Sequence, residues 1–344
     1  MPGAGERAYA YAKACGIIGK SFLGKRVSRL GGLTRLSELD RLVFPRTSRD
    51  LPERELLIDL EKRIIGRSVK QILAIVDSFS KPPELILRLV RSYEYGDIKS
   101  VLSAVGGKNT GVPAKSPFFT DLGRFGTVNF SAYPDLNAML TGTEFEFLLK
   151  EDLDSAAEGE ASDLQIKLDQ QYYTRLWESI RILPKNDSRC IENIIAEEIS
   201  LKNIVWAMRL RTYYRMSAEE IRGRLVSTPQ GGDRRSLAED AAASLSMALD
   251  NYADWEKWKR AGFLNPPRPG EAWTADPRYF QNAASEYLYR LARSCFRRRP
   301  LSMDTSSCFI KLKQFEEDIL TSVAEGLGMG IPARDVFALL ELES

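Results

Sequence analysis

Residues 164–177 read "LQIKLDQQYYTRLW", and after a polar break residues 191–211 read "IENIIAEEISLKNIVWAMRLR". Apolar side chains in the second of these segments recur mostly at steps of three and four residues, as Ile191, Ile194, Ile195, Leu201, Ile204, Val205 and Met208. This spacing places one apolar stripe along an α-helix, with charged residues opposite. The two segments therefore predict two long amphipathic helices joined by a short connection.

The same helical plan recurs earlier and later in the chain. The two other pairs of segments are 53–66 ("ERELLIDLEKRIIG") with 85–102 ("LILRLVRSYEYGDIKSVL"), and 278–291 ("RYFQNAASEYLYRL") with 309–323 ("FIKLKQFEEDILTSV"). The second segments align best on Asp97, Asn203 and Asp318, each followed by isoleucine, at intervals of about 105–115 residues. A period of this length indicates three small domains rather than a solenoid of short repeats.

The predicted fold class is all-α, because strand-like alternation is nearly absent and "TVNFSAY" at 127–133 is too short to found a sheet. Glycine- and proline-rich breaks at 103–134 and 228–235 separate the copies, and a further break at 262–277 interrupts the third. Boundaries near Pro117 and Gly232 follow. We therefore predict three helical repeat domains, at residues 1–117, 118–232 and 233–344.

Composition excludes several classes of function. The chain has 344 residues, no histidine and a formal net charge of +2, so it lacks the commonest general base and metal ligand and the basic excess of a nucleic-acid binder. Its four cysteines are scattered and form no CxxC pair, which argues against a zinc site and predicts reduced cytosolic thiols. No apolar run is long enough to span a bilayer, so we expect a protein that is at most peripheral to a membrane.

Motifs that suggest chemistry have simpler interpretations. Residues 14–21 ("ACGIIGKS") nearly spell a phosphate-binding loop ending in Lys20, but the preceding segment is predicted to be helical and no strand is available. "GLGMG" at 326–330 is most simply a helix end and turn, and the arginines at 297–299 a helix terminus. The adjacent pairs 197/198 and 316/317 are interpreted as solvated carboxylates. We predict no catalytic, cofactor-binding or metal-binding residues.

The middle copy resembles the central-stalk subunit of rotary V/A-type ATPases, called C in bacterial and archaeal-type complexes and d in the eukaryotic vacuolar enzyme. The residues that carry the resemblance are Leu168, Asp169, Tyr172, Tyr173, Glu198, Leu201, Asn203, Ile204, Arg209 and residues 217–221. Residues 36–44 and 133–149 and the tail after residue 310 resemble other parts of the family. The proline-rich insertion at 265–270 has no counterpart there.

The resemblance implies a funnel of three helical domains around a pseudo-threefold axis, one copy per complex. Such a subunit lies on the cytoplasmic face of the membrane rotor ring and receives the D/F-type shaft in its central cavity. It is a non-catalytic, peripheral rotor part that links ATP turnover to proton or sodium transport, without nucleic acid or cofactor. The recurring Asp97, Asn203 and Asp318 are either shaft contacts or internal structural polar groups, and the second interpretation is favoured.

Two other functions remain open from the sequence. The main alternative is a helical adaptor or scaffold outside any ATPase, built from the same modules. A nucleic-acid-binding helical protein would depend on the locally basic blocks at 1–50 and 257–299 alone. The sequence determines neither the coupling ion nor the direction of operation, nor which residues line the funnel.

Overall fold

The computed structural model describes residues 2–106, 118–150, 158–227 and 236–340. Within these ranges the chain forms α-helices, short 3₁₀ turns and irregular connections but no β-strand, so the all-α fold class is confirmed. Residues 130–132 of the short strand-like segment form a 3₁₀ turn. The boundaries predicted near Pro117 and Gly232 lie outside the described residues.

Long helices of 22 to 30 residues dominate the described part of the chain. They are α3 (Glu53–Val76), α4 (Glu84–Gly106), α6 (Glu158–Arg181), α7 (Lys185–Tyr214), α10 (Pro277–Arg298) and α11 (Met303–Gly328). The shorter helices are α1 (Ala4–Ile18), α2 (Leu36–Val43), α5 (Leu136–Leu140), α8 (Ala218–Arg224), α9 (Glu239–Ser244) and α12 (Ala333–Leu340). The long helices coincide with the three pairs predicted from the recurrence.

Local sequence signals set several of these helix ends. Asp276 caps α10 by accepting the backbone N–H of Arg278 at 2.8 Å, with Pro277 in the first turn. Ser217 and Glu220 form the capping box that begins α8. The near phosphate-binding sequence at 14–21 lies at the end of α1 and in the turn after it, as predicted, so it lacks the strand that a phosphate-binding loop requires.

The long helices close into a ring. Within each pair the helices contact each other, as α3 does α4, α6 does α7, and α10 does α11. Neighbouring pairs also pack together, through α4 with α6, α7 with α10, and α11 with α3. The second helices converge as well, since α11 contacts both α4 and α7. The six long helices therefore enclose a central space, and each of them forms part of its wall.

Three hydrophobic clusters hold the helix pairs together in the described part of the chain. The largest contains side chains from all six long helices and from residues 122–148 between α4 and α6, and a second joins α7 to α10 through residues 221–225 and 238–275. In the second, the indoles of Trp255, Trp258 and Trp273 are buried and pack edge to face, so these tryptophans are core residues.

The third cluster is completed by the two ends of the chain. It joins α11 to α3 through Phe22, Leu30 and α2 from the N-terminal segment and through α12 from the C-terminal one. At the contact of α11 with α12, a Cβ on Gly326 would lie 2.3 Å from Val336 Cγ2, so any larger residue would displace the Val336 side chain. The sequence "GLGMG" therefore ends α11, with Gly330 at φ +76°, and also permits this close approach.

Two further features of the fold concern a pair of cysteines and the proline-rich insertion at 265–270. Cys190 on α7 and Cys295 on α10 form a disulfide, with Cα atoms 6.1 Å apart, so the prediction of four free thiols was wrong for this pair. The two cysteines are 105 residues apart and meet only because α7 packs on α10. In the proline-rich insertion, the carbonyl of Asn265 accepts the indole N–H of Trp273, and its side-chain amide donates to the carbonyl of Thr274. These bonds hold the insertion against the segment that leads into α10.

Candidate functional site: a central cavity

A cavity of about 2010 Å³ lies inside the helix ring. The first helices of the three pairs line it with residues of their N-terminal halves and middles, α4 and α7 with their middle and C-terminal parts, and α11 with residues 311–318 in its middle. Paired helices run antiparallel, so these parts lie at the same end of the ring and the cavity opens there. We call this end the mouth, formed by Arg54, Ser103, Phe118, Tyr214 and Gln281.

Polar links between helices cross the cavity wall. Asp169 of α6 binds Lys99 of α4 at 2.6 Å, and Glu198 of α7 binds Lys311 of α11 at 2.7 Å. The phenol of Tyr93 on α4 donates to Glu317 of α11 at 2.7 Å. These contacts tie α4, α6, α7 and α11 to one another around the narrow side of the cavity. Because they are inter-helix pairs in a partly desolvated space, they resist relative sliding of the helices.

The residues that carried the family resemblance are concentrated here. Asp169, Tyr172, Tyr173, Glu198, Leu201 and Arg209 all line the cavity. Tyr173 also donates to Glu198 at 3.2 Å. The partners Lys99 and Lys311 were not singled out from the sequence, nor was Tyr93, which pairs with Glu317. Only the packing of different pairs brings them together, and helical spacing within one segment carries no trace of it.

The recurring positions Asp97 and Asn203 perform the same structural task. Asp97 accepts the backbone N–H of Thr120 at 2.8 Å, and Asn203 accepts that of Val226 at 2.9 Å. In each case the partner lies 23 residues further along the chain. Asn203 also donates to the carbonyls of Val226 and Leu237. The favoured structural interpretation is therefore correct for these two positions.

The third recurring position differs. Asp318 is open to the cavity, and within the described part of the chain its carboxylate has no hydrogen bond or ion pair. The anchoring task on α11 belongs instead to Glu316, which is buried and accepts the backbone N–H of Phe22 at 2.8 Å. Glu316 also pairs with the buried Lys313. The structural interpretation of Asp318 was therefore wrong.

The prediction that the adjacent glutamates are solvated was wrong too. Glu197 binds Arg260 at 2.6 Å on the outside of the ring, while Glu198 on the next residue lines the cavity. Glu317 faces the cavity and Glu316 the core. Adjacent residues on a helix point about 100° apart, so each pair serves two different contacts and neither converges on one substrate.

Burial alters the protonation of several cavity carboxyls. Desolvation raises the pKa of Asp97 to about 7, although the two bonds from Thr120 oppose it. Desolvation likewise raises the pKa of Glu317 to about 7 against the hydrogen bond from Tyr93. Asp318 is open to the cavity yet surrounded by protein, and this desolvation raises its pKa to about 6. These carboxyls can therefore change charge near neutral pH.

The cavity walls combine apolar surface with cations. Trp206, Leu288 and Phe315 line it alongside Lys202 and Arg209. Lys202 lies over the rings of Tyr173 and Trp206, and Arg209 donates to Gln281 at 2.6 Å. Small-molecule pockets usually hold about 300–1,000 Å³. A cavity twice that size with a mixed lining is suited to part of another macromolecule.

No catalytic grouping occurs in the described ranges. The residues described there include no group of three side chains placed to hold a metal ion. At the cavity wall Tyr93 donates to Glu317 and Tyr173 donates to Glu198, so these hydroxyls pair with carboxylates of other helices rather than forming a nucleophile and its base. The arrangement provides docking surface and cross-links between helices.

The end opposite the mouth carries exposed apolar side chains on short connections. Ile182, between α6 and α7, and Leu301, between α10 and α11, are 77% and 45% exposed. Arg299 there donates to the carbonyl of Asn186 at 3.0 Å, which is consistent with the predicted role of residues 297–299 at a helix terminus. Within the described ranges, no helix is both long and apolar enough to cross a bilayer.

Comparisons with known proteins cover all six long helices of the helix ring. Residues 51–336 match the model of the family described as ATP synthase (C/AC39) subunit. This range contains all six long helices of the described structure and the cavity they enclose. An uncharacterized protein of Treponema pallidum (strain Nichols) is 26% identical over 325 residues, which cover 94% of this chain and 92% of that protein.

Proposed function

We propose that this chain, which belongs to the ATP synthase (C/AC39) subunit family, is the rotor part that couples the central shaft to the membrane ring. The family match confirms the resemblance drawn from the sequence and makes the chain a subunit of a V/A-type ATPase. In the proposed role it passes torque between ATP turnover and proton or sodium transport. It does so as one copy per complex on the cytoplasmic side of the membrane.

The observation that carries the proposal is the central cavity with its mouth at one end of the helix ring. A shaft end built from helices has a diameter of about 10–12 Å per helix, which the enclosed volume of about 2010 Å³ accommodates as an inserted tip. The three helical repeat domains, at 1–117, 118–232 and 233–344, would then surround the shaft as a funnel. The D/F-type shaft enters the mouth, and the cavity walls grip it.

Stiffness is the mechanical requirement of this role, because a soft coupler would store torsion instead of passing it on. The closed helix ring of this chain provides stiffness in two ways. Buried apolar clusters join every pair of helices to the next pair. The pairs Lys99–Asp169 and Glu198–Lys311 and the bond of Tyr93 to Glu317 add polar links between helices at the cavity wall.

The end of the helix ring opposite the mouth is proposed to contact the membrane rotor ring. Its exposed Ile182 and Leu301 provide apolar contact, and the arginines at 297–299 and Lys185 provide charge beside it. A peripheral subunit needs such a surface because it must bind the membrane sector without a span of its own. No chemistry is required of this chain, and we propose that it is not an enzyme.

A tagged copy tests the proposal when it is recovered from detergent-solubilised membranes and its companions are identified by mass spectrometry. We expect the catalytic hexamer, the shaft and the ring. Trp206→Glu in the cavity should lose the shaft and hexamer but keep the ring, because it places a charge against the inserted tip. Ile182→Glu with Leu301→Glu should lose the ring and keep the shaft.

Met329→Glu is the matched control, because Met329 is 75% exposed and lies outside the cavity. It should recover every partner. Recovery of no ATPase subunit by folded wild-type protein would overturn the rotor role and leave the alternative function, a helical adaptor outside the complex.

A further inference from the structure

We propose that Asp318 is the cation acceptor of the cavity and binds one lysine or arginine side chain from the inserted end of the shaft. The inference rests on the proposed function for the identity of the partner, and on this chain's own contacts for the chemistry. It assigns the charge pattern of the partner's tip, which neither the fold nor the family match specifies.

The other carboxylates of the cavity wall are already engaged within the described structure. Asp97 accepts from Thr120, Asp169 pairs with Lys99, Glu198 pairs with Lys311, and Glu317 accepts from Tyr93. Glu61 at the α3 side also has a partner. Asp318 differs from all of these, because its exposed carboxylate lacks any hydrogen bond or ion pair. It is therefore available to a ligand that enters the cavity.

The charged groups that face Asp318 come from α7 and α11. They are Lys202 and Glu198 on α7, and Lys311 with the adjacent Glu317 on α11. Lys311 is committed to Glu198 at 2.7 Å, and Lys202 lies 4.0 Å from Asp169 and over two aromatic rings. Neither lysine satisfies Asp318. An entering cation would form a charge-assisted hydrogen bond, and the inserted tip would displace water around it, which makes such a bond stronger than at an open surface.

Cations nearer the mouth complete the pattern. Arg54 has no ion pair within the described residues, and Lys62 lies over the ring of Phe118 with its centroid 5.6 Å away. Arg209 binds the neutral Gln281 and pairs with no carboxylate of the described ranges. The complementary partner is therefore a helical tip with a cation at its inner end, apolar sides for Trp206 and Phe315, and acidic residues further back. Opposite charges placed at two depths also fix how far the tip inserts.

Binding of the purified D- and F-type shaft subunits to this chain tests the inference directly. We expect Asp318→Asn to weaken binding about tenfold and Asp318→Lys about a hundredfold, since a lost pair costs less than a repulsive one. Glu325→Gln and Glu325→Lys are the matched controls, because Glu325 is an exposed carboxylate on the same helix outside the cavity. They should bind like the wild type. Circular dichroism checks that each variant is folded.

The outcomes separate the two proposals. If wild-type protein fails to bind the shaft, the rotor role is overturned, and the inference with it. If wild-type protein binds but the Asp318 variants match their Glu325 controls, the shaft role stands and the cation acceptor is overturned.

A charge reversal identifies the partner residue. Each lysine and arginine near the end of the shaft is changed to glutamate and tested against Asp318→Lys. One of these reversals should restore binding to Asp318→Lys while weakening binding to the wild type. Restoration by none of them would contradict a single cation at Asp318.

Discussion

The middle and last second helices, α7 and α11, show how one repeated plan supports two tasks. In α7 the recurring polar residue is Asn203, which is fully buried and fastens the downstream segment through three bonds to backbone groups. In α11 the aligned residue is Asp318, which faces the cavity without a partner in the described structure. Repetition in the sequence therefore predicts the scaffold, whereas the task of each position depends on what packs around it.

The difference has a physical origin in the segment that each helix holds. The segments held by α4 and α7 follow them in sequence, so the anchor and its target recur at a fixed spacing. The segment held by α11 is instead the one around Phe22, which precedes α3 in the chain. Its backbone is reached from Glu316, two residues before the aligned position. Asp318 is thereby released for another contact.

The largest expected effect comes from removing the α7 anchor. Asn203→Leu leaves a backbone N–H and two carbonyls buried without partners, and should lower the free energy of unfolding by about 4 kcal/mol. Urea unfolding followed by circular dichroism measures it. Asn137→Leu, at an exposed position, should change stability by less than about 0.5 kcal/mol. A loss below about 1 kcal/mol for Asn203→Leu would show that Asn203 is not an anchor.

The α11 anchor is tested by Lys313→Met. Burial alone would raise the pKa of Glu316, but the ammonium of Lys313, the backbone N–H of Phe22 and the charge of Arg67 together keep that pKa lowered. Without Lys313 the carboxylate is buried with less compensation, so we expect a loss of about 3 kcal/mol in the free energy of unfolding. Adding Glu316→Gln removes the charge but keeps an acceptor for Phe22, and should restore at least half of the loss. Equal destabilisation of the single and double variants would contradict this account.

A smaller effect distinguishes the α4 anchor from that of α7. Asp97→Asn gives α4 the residue that α7 has at Asn203. The pKa of Asp97 in the folded protein is about 7, above an ordinary unfolded value of about 4, so stability from its protonated form is lost as the pH rises through 7. We therefore expect Asp97→Asn to stabilise the fold by about 1–2 kcal/mol at pH 8 and by much less at pH 4.

Chemical denaturation at several pH values measures this difference. Asp50→Asn is the control for the loss of one negative charge at an exposed position. A stability difference between Asp97→Asn and wild type that does not grow between pH 4 and 8 would mean that Asp97 carries no buried charge.

Helix identity, helix pairing and the all-α class were predictable because they depend on periodicity within single segments. The three predicted helix pairs coincide with α3 and α4, α6 and α7, and α10 and α11. The disulfide between Cys190 and Cys295 was not predictable, since it joins two pairs through packing alone. Closure of the third cluster by the N-terminal segment was missed for the same reason: a linear division of the chain does not place Phe22 beside α11.

The cavity was predictable only through the family resemblance. Asp169, Tyr173 and Glu198 could be singled out as residues that carry it, and they line the wall. Their ionic partners lie on other helices, at distances in sequence that no motif encodes. The interpretation of Glu316 as a solvated carboxylate failed because Lys313 and Glu316, three residues apart, resemble an ordinary surface pair. Only the tertiary structure shows that this pair is buried.

The smallest effect on stability is expected at Asp318, where the largest effect on binding is expected. Asp318→Asn removes no internal bond, so it should lower the free energy of unfolding by less than about 0.5 kcal/mol. Desolvation raises the pKa of Asp318 to about 6, and only the ionised carboxylate attracts a cation. Shaft affinity of the wild type should therefore fall as the pH drops through 6, while that of Asp318→Asn should change less. Binding measured from pH 5 to 7.5 checks this, with Glu317→Gln included because Glu317 adjoins the site and titrates near pH 7. Parallel pH profiles of shaft binding for wild type and Asp318→Asn would show that a group other than Asp318 titrates. A large loss of stability in Asp318→Asn would show that Asp318 is a structural residue like Asn203.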